Sequence, residues 1–128
     1  QTMKQINTDQ APAAVGPYAQ AVRSGSWLFC SGQIGLVPGS RSLAGEDIQA
    51  QSRQMLTNLR SVLRAAGLDL TAVVKTTVYL KDMNDFSVFN DIYADFFQGH
   101  TPARSAVQVA GLPLDALVEI ECIAMFPS

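Results

Sequence analysis

Between Glu46 and Ala66 apolar side chains recur every three or four residues. Ile48, Ser52, Met55, Leu59, Val62, Leu63 and Ala66 fall on one stripe, which predicts an amphipathic helix. Gly67 follows, where a left-handed cap ends such a helix, and Glu46 and Asp47 at one end with Arg64 at the other suit the helix dipole. A second helix is expected over Phe86–Phe97, with Phe86, Phe89, Tyr93 and Phe96 or Phe97 on its apolar side and the Asp82–Asp85 turn before it. Elsewhere the period is two. Val73–Leu80 alternates and is rich in β-branched residues, with Val74, Thr76, Val78 and Leu80 on one face and Val73, Lys75, Thr77 and Tyr79 on the other. Ala19–Arg23 and Trp27–Ser31 read as a hairpin about Ser24-Gly25-Ser26. Ala103–Val109 and Leu117–Met125 read as strands joined through Gly111 and Pro113, and Met3–Asn7 as a short first strand. The stretches Asp9–Pro17 and Val37–Gly45 read as loops.

The order β-β-β-α-β-α-β-β predicts a single α+β domain, a two-layer sandwich in which two helices cover one face of a mixed sheet. The other face must then be wet or covered by a partner. The chain has 128 residues, enough for one core. Its charged fraction of 16% lies below the usual ~25%, which fits burial of surface in an oligomer as well as a surface rich in neutral polar residues.

Chemistry narrows further. Net charge is −2, with nine basic residues scattered along the chain, so nucleic acid is an unfavoured partner. One histidine, His100, and two distant cysteines do not make a zinc site; Cys30 and Cys122 sit in apolar runs and read as buried free thiols rather than a disulfide. No stretch has the apolar length of a membrane span and no leader pattern opens the sequence, so a cytoplasmic or organelle-matrix location is expected. Met3 fits a natural start, leaving Gln1 and Thr2 as additions.

Strand parity proposes where polar groups converge. In Leu117–Met125, the residues Val118, Ile120, Cys122 and Ala124 form an apolar face, leaving Glu119 and Glu121 on the other. In Ala103–Val109, the more apolar set is Ser105, Val107 and Val109, opposed by Arg104, Ala106 and Gln108. The two strands are read as neighbours, so Arg104, Gln108, Glu119 and Glu121 share the sheet face away from the helices. On spacing alone this pattern fits a solvated face with a cross-strand ion pair better than a site.

Ordered motifs change that balance. Ala11-Pro12-Ala13-Ala14-Val15-Gly16-Pro17-Tyr18, Ser31-Gly32-Gln33-Ile34-Gly35, Ala65-Ala66-Gly67-Leu68, Val73-Val74-Lys75-Thr76-Thr77-Val78, Asn84-Asp85-Phe86, Thr101-Pro102-Ala103-Arg104-Ser105-Ala106 and Val118-Glu119-Ile120-Glu121 occur in one order. Together they resemble the Rid (reactive intermediate deaminase, YjgF-like) family, from about Ile6 to Ala124. The resemblance implies a chorismate-mutase-like homotrimer whose sheets close a central β-barrel, with sites in the clefts between subunits. It implies hydrolysis of 2-iminobutanoate and 2-iminopropanoate to 2-keto acids and ammonia. No cofactor or metal is implied, since a protonated imine is already electrophilic.

Carried over by position, Arg104 would hold the substrate carboxylate through its planar fork. Glu121 would activate water and pass protons to the leaving amine. Tyr18, Ser31 and Asn90 would line the pocket, and the backbone at Ser105 and Ala106 would complete it. Many bacterial members carry Cys where this chain has Ala106, which removes a thiol nucleophile at that position. Glu119 is read as structural. Tyr18 also fits a loop anchor, Ser31 a turn residue and Asn90 a surface amide. Competing functions are a non-catalytic small-carboxylate-binding regulator, an endoribonuclease or translation inhibitor, and a surface-driven chaperone.

Overall fold

The computed structural model describes residues 3–128; the expectation about Gln1 and Thr2 lies outside them. Six strands and two α-helices run in the order β1 (Lys4–Ile6), β2 (Ala21–Ser24), β3 (Trp27–Ile34), α1 (Ile48–Ala65), β4 (Val73–Leu80), α2 (Phe86–Phe97), β5 (Ala103–Gln108), β6 (Val118–Met125). The strands form one mixed sheet, ordered β1-β2-β3-β6-β4-β5. Among the described residues, only β4 and β5 pair in parallel, across the α2 crossover. This is the predicted α+β sandwich. Among the described residues, no helix is long and apolar enough to cross a membrane.

Helix α1 begins one turn position later than its dipole pattern suggests. Asp47 is the N-cap, its carboxylate accepting from the Ala50 amide at 2.7 Å, so the first turn carries no acidic residue. The end is as predicted: Gly67 adopts φ +84 and the Leu68 amide reaches back to the Leu63 carbonyl. The buried stripe also contains two amides that hydrophobic spacing passed over. Asn58 Nδ2 donates to the carbonyls of Ile34 and Leu36. Gln51 Nε2 donates to Gly45 O and its Oε1 accepts from Leu117 N. These bonds satisfy part-buried loop backbone and tie the 35–45 loop and the start of β6 to the helix. Gly35 allows the close approach, since a Cβ there would lie 2.5 Å from the Gln51 carbonyl oxygen.

Two register irregularities break strict alternation. Between Val73 and Lys75 the pairing with β6 shifts, so Val73 is buried together with Thr76, Val78 and Leu80, while Val74 is exposed. Strand β3 extends past Ser31 to Ile34, with a second shift between Cys30 and Gln33. Cys30 and Cys122 are free thiols directly opposite one another across β3 and β6. A hydrogen bond to Cys30, together with burial, pushes the Cys122 thiol well up, so it stays protonated in the core.

The core fills the space between the sheet and the helices: Leu28, Val78, Ile120 and Ala124 from strands meet Met55, Leu59, Leu63 and Phe89 from helices. Among the described residues, no helix covers the opposite sheet face. Phe29 is 46% exposed and Val107 44%, with Trp27 and Met125 also open. Large apolar side chains left open on an uncovered sheet face are surface that a partner can cover.

Candidate functional site

Strand β5 lies at the sheet edge, against β4 and not against β6. Thr76 pairs with Arg104 and with Cys122, so these three side chains share one face, and it is the helix face. Thr77 pairs with Ser105 and with Glu121, so those share the uncovered face. Arg104 and Ala106 therefore point to the helical layer and Ser105 and Val107 away from it, the reverse of the parity expected from sequence. The expectation that Arg104 and Glu121 share a face is overturned. The reason is physical: at an edge a long cation can lie along a helix and still reach water. Arg104 Nη1 donates to Asn90 Oδ1 at 2.7 Å, and its guanidinium carbon sits 4.8 Å from the Tyr93 ring centroid and 5.2 Å from that of Phe86. Tyr93 is fixed in turn by a 2.8 Å hydrogen bond with buried Thr76. Beside Arg104 is a recess of about 400 Å³ whose lining includes Asn90, Tyr93, His100 and Thr101. The His100 ring is engaged with the Val73 carbonyl at 2.7 Å.

A second and larger cavity, about 830 Å³, lies on another part of the molecule. Its wall includes the polar groups of Tyr18, Ser31, Arg41 and Glu119 beside Gly32, and the aliphatic ones of Pro12, Val15, Leu36 and Leu114. Loop 9–20 is held in place by buried Gln20, whose amide nitrogen donates to the Thr8 and Pro12 carbonyls and whose oxygen accepts from the Thr8 amide. Tyr18 projects from it, 53% exposed. The Ser31 hydroxyl donates to the Ala19 carbonyl at 2.6 Å, locking that loop to β3.

Glu119, read from the sequence as structural, borders this cavity. Its half-buried carboxylate folds across Gly32, where an added Cβ would collide with it. Burial pushes its carboxyl above the ordinary range, and the neighbouring Glu121 adds to that. Glu121, the residue favoured from sequence, is exposed and accepts from the Tyr79 hydroxyl at 3.1 Å, and it is not part of the cavity wall. Glu119 and Glu121 have equal parity on β6, so alternation does not separate them. The available signal was Ser31-Gly32, which opens space on the neighbouring strand.

Five of the seven expected site residues thus divide into two groups, while Ser105 and Glu121 lie on the uncovered face and belong to neither. Arg104 and Asn90 stand together on the helix side, with Ala106 two residues along the same strand face. Tyr18 and Ser31 stand in the larger cavity with Glu119. Glu119 pairs with Tyr79 and Arg104 with Thr76, so their Cα atoms are separated by three residues along the strands and two strand spacings, on the order of 14 Å, with side chains on opposite faces. One chain does not bring them together.

A family model described as endoribonuclease L-PSP matches residues 8–126. A mouse protein named 2-iminobutanoate/2-iminopropanoate deaminase is 52% identical over 122 residues, covering 95% of this chain and 90% of the mouse protein. Reactive Intermediate Deaminase A, chloroplastic, from Arabidopsis thaliana is 47% identical over 119 residues, 93% of this chain and 64% of the plant protein. Among solved structures, that of E. coli TdcF with bound serine superposes with TM-score 0.92 at 44% identity, covering 97% of this chain and 99% of that one. The chain belongs to the endoribonuclease L-PSP (YjgF/Rid) family.

Proposed function

We propose that the protein hydrolyses 2-imino acids, 2-iminobutanoate and 2-iminopropanoate among them, to 2-keto acids and ammonia. The observation that carries this reading is the half-buried Glu119 carboxyl in a cavity with Tyr18 and Ser31, on a chain half identical to a named deaminase. The working site is completed by a second copy of the chain: the Arg104–Asn90 group of one protomer faces the Glu119 cavity of its neighbour. The uncovered sheet face, with Phe29, Val107 and Met125 exposed, supports association, and a trimer closing a central barrel is the arrangement we favour.

In this site Arg104 grips the substrate carboxylate through two charge-assisted hydrogen bonds, with its plane held by Asn90 and the Tyr93 and Phe86 rings. The protonated imine presents its carbon to a water on Glu119. Glu119 takes a proton as the water oxygen bonds to that carbon, then returns it to nitrogen. Collapse of the tetrahedral adduct breaks the C–N bond, giving the keto acid and ammonium. A carboxyl raised by burial gives up its proton less readily than an ordinary carboxylic acid, which suits it to take a proton from water and return it to nitrogen. Roles for Ser105 and Ala106 reduce to backbone groups on β5, and Glu121 is released from the catalytic role, since its carboxylate is exposed and taken up by Tyr79.

The description of the family as an endoribonuclease does not favour RNA here. The net charge is −2, and the lone His100 is engaged with a backbone carbonyl. The test couples a threonine dehydratase to this protein while semicarbazide competes for the imine. Faster 2-ketobutyrate release with less trapped imine is expected. Unchanged partition between keto acid and trapped imine would contradict the reading.

A further inference from the structure

The loop before β6 contains two successive non-glycine residues in the left-handed region: Leu114 at φ 54, ψ 25 and Asp115 at φ 56. L-residues occupy that region reluctantly, and branched aliphatic ones especially so. The chain is held there from several sides. The Asp115 amide donates to Leu112 O at 3.1 Å and the Ala116 amide to Pro113 O at 3.0 Å. Asp115 Oδ1 meets Lys81 Nζ at 2.8 Å, Lys81 N donates to Leu117 O, and Ala116 is fully buried. The outcome of this fastening is an apolar side chain left 60% exposed on the wall of the Glu119 cavity. Strain kept at a cavity lip, with an unshielded leucine as its product, is the kind of conformation that persists where a ligand uses it.

The cavity wall is mixed. Tyr18, Ser31, Arg41 and Glu119 supply polar groups, the last being where an imine would react, and Pro12, Val15, Leu36 and Leu114 supply aliphatic surface. Its volume in one chain, about 830 Å³, is shared in the proposed assembly between the substrate and the neighbour's Arg104 group. Resting on the deaminase reading, we infer that Leu114 is a specificity-determining residue: it contacts the alkyl side chain of the substrate and directs the site to aliphatic 2-imino acids longer than 2-iminopropanoate. The Lys81–Asp115 pair positions it. Leu114 makes no contribution to bond making, so its effect falls on discrimination between substrates and not on the reaction itself.

An amino-acid oxidase supplied in turn with alanine, 2-aminobutyrate and leucine generates imines that differ only in side chain, with semicarbazide as trap and keto acid as readout. The wild-type protein is expected to favour the leucine-derived over the alanine-derived imine in kcat/KM. Leu114→Asn keeps a residue that tolerates the left-handed backbone but removes the aliphatic contact. It should reduce that preference by about tenfold while changing the alanine-derived rate less than about twofold. Leu114→Gly should lose the preference similarly and raise the thermal midpoint, because it relieves the backbone. An unchanged preference in Leu114→Asn, or an equal loss on all three imines, overturns the inference and leaves the deaminase reading standing. A Leu114→Gly midpoint that does not rise overturns the strained presentation. If wild type accelerates none of the three, the deaminase reading fails and this inference with it.

Discussion

Arg104→Ala is expected to lower kcat/KM for a 2-imino acid by about a thousandfold, the loss of two charge-assisted hydrogen bonds to the substrate carboxylate. Arg104→Lys keeps the charge but not the fork and should fall between wild type and Arg104→Ala. The guanidinium lies at a half-buried sheet edge over the rings of Tyr93 and Phe86, with Asn90 its hydrogen-bond partner. Stability should therefore change by no more than about 1 kcal/mol, a figure set by the cation–π contacts. Steady-state kinetics beside a thermal melt separates these effects. A variant that retains wild-type kcat/KM would show that Arg104 binds no substrate.

The second large effect distinguishes two glutamates only two residues apart. Glu119→Gln is expected to reduce kcat by about a hundredfold or more, the usual contribution of a positioned proton carrier, whereas Glu121→Gln should stay within about threefold of wild type. Gly32→Ala should resemble Glu119→Gln, since the new methyl displaces the Glu119 carboxylate and leaves the backbone its room. The pH profile carries the same information. Burial and the neighbouring Glu121 raise the Glu119 carboxyl, so the limb of kcat/KM that reports it lies above the ordinary carboxylate range. In the free protein the sign for stability is the opposite of that for a salt-bridged carboxylate. A raised folded-state pKa favours the fold while the group is protonated, and that contribution is lost as pH rises through the folded value. In Glu119→Gln the kinetic limb disappears and stability above that pH improves. Equal kinetic losses in Glu119→Gln and Glu121→Gln would contradict the assignment.

Much of the fold was legible because periodicity is strong where one face is buried on both sides of a residue's neighbours. The bounds of α2 are those expected from Phe86, Phe89, Tyr93 and Phe97, and Gly67 ends α1 through a left-handed turn. Parity on β6 was also right: Val118, Ile120, Cys122 and Ala124 are all buried. It failed on β5, where Ser105, Val107 and Val109 looked more apolar than Arg104, Ala106 and Gln108. An edge strand under the end of one helix has no fully buried face, so hydrophobic count does not set its orientation. What does is Arg104 stacking on the Tyr93 and Phe86 rings of α2 and bonding Asn90, contacts across a helix and a loop with no local signature. The sheet order was equally hidden. β5 and β6 are consecutive in the chain, yet β4 lies between them, because the parallel β4–α2–β5 crossover places β5 outside. Glu119 was obscured because it shares parity with Glu121; only the space over Gly32 and the position of the 9–20 loop separate the two.

The central claim is that Arg104 and Glu119 act on one substrate from different protomers. Arg104→Ala and Glu119→Gln, each inactive alone, test it when unfolded together and refolded as a mixture. If the site spans two copies, random assembly in equal amounts should restore about a quarter of wild-type activity, because that share of interfaces joins an intact Arg104 to an intact Glu119. A mixture no more active than its separate components would contradict the claim.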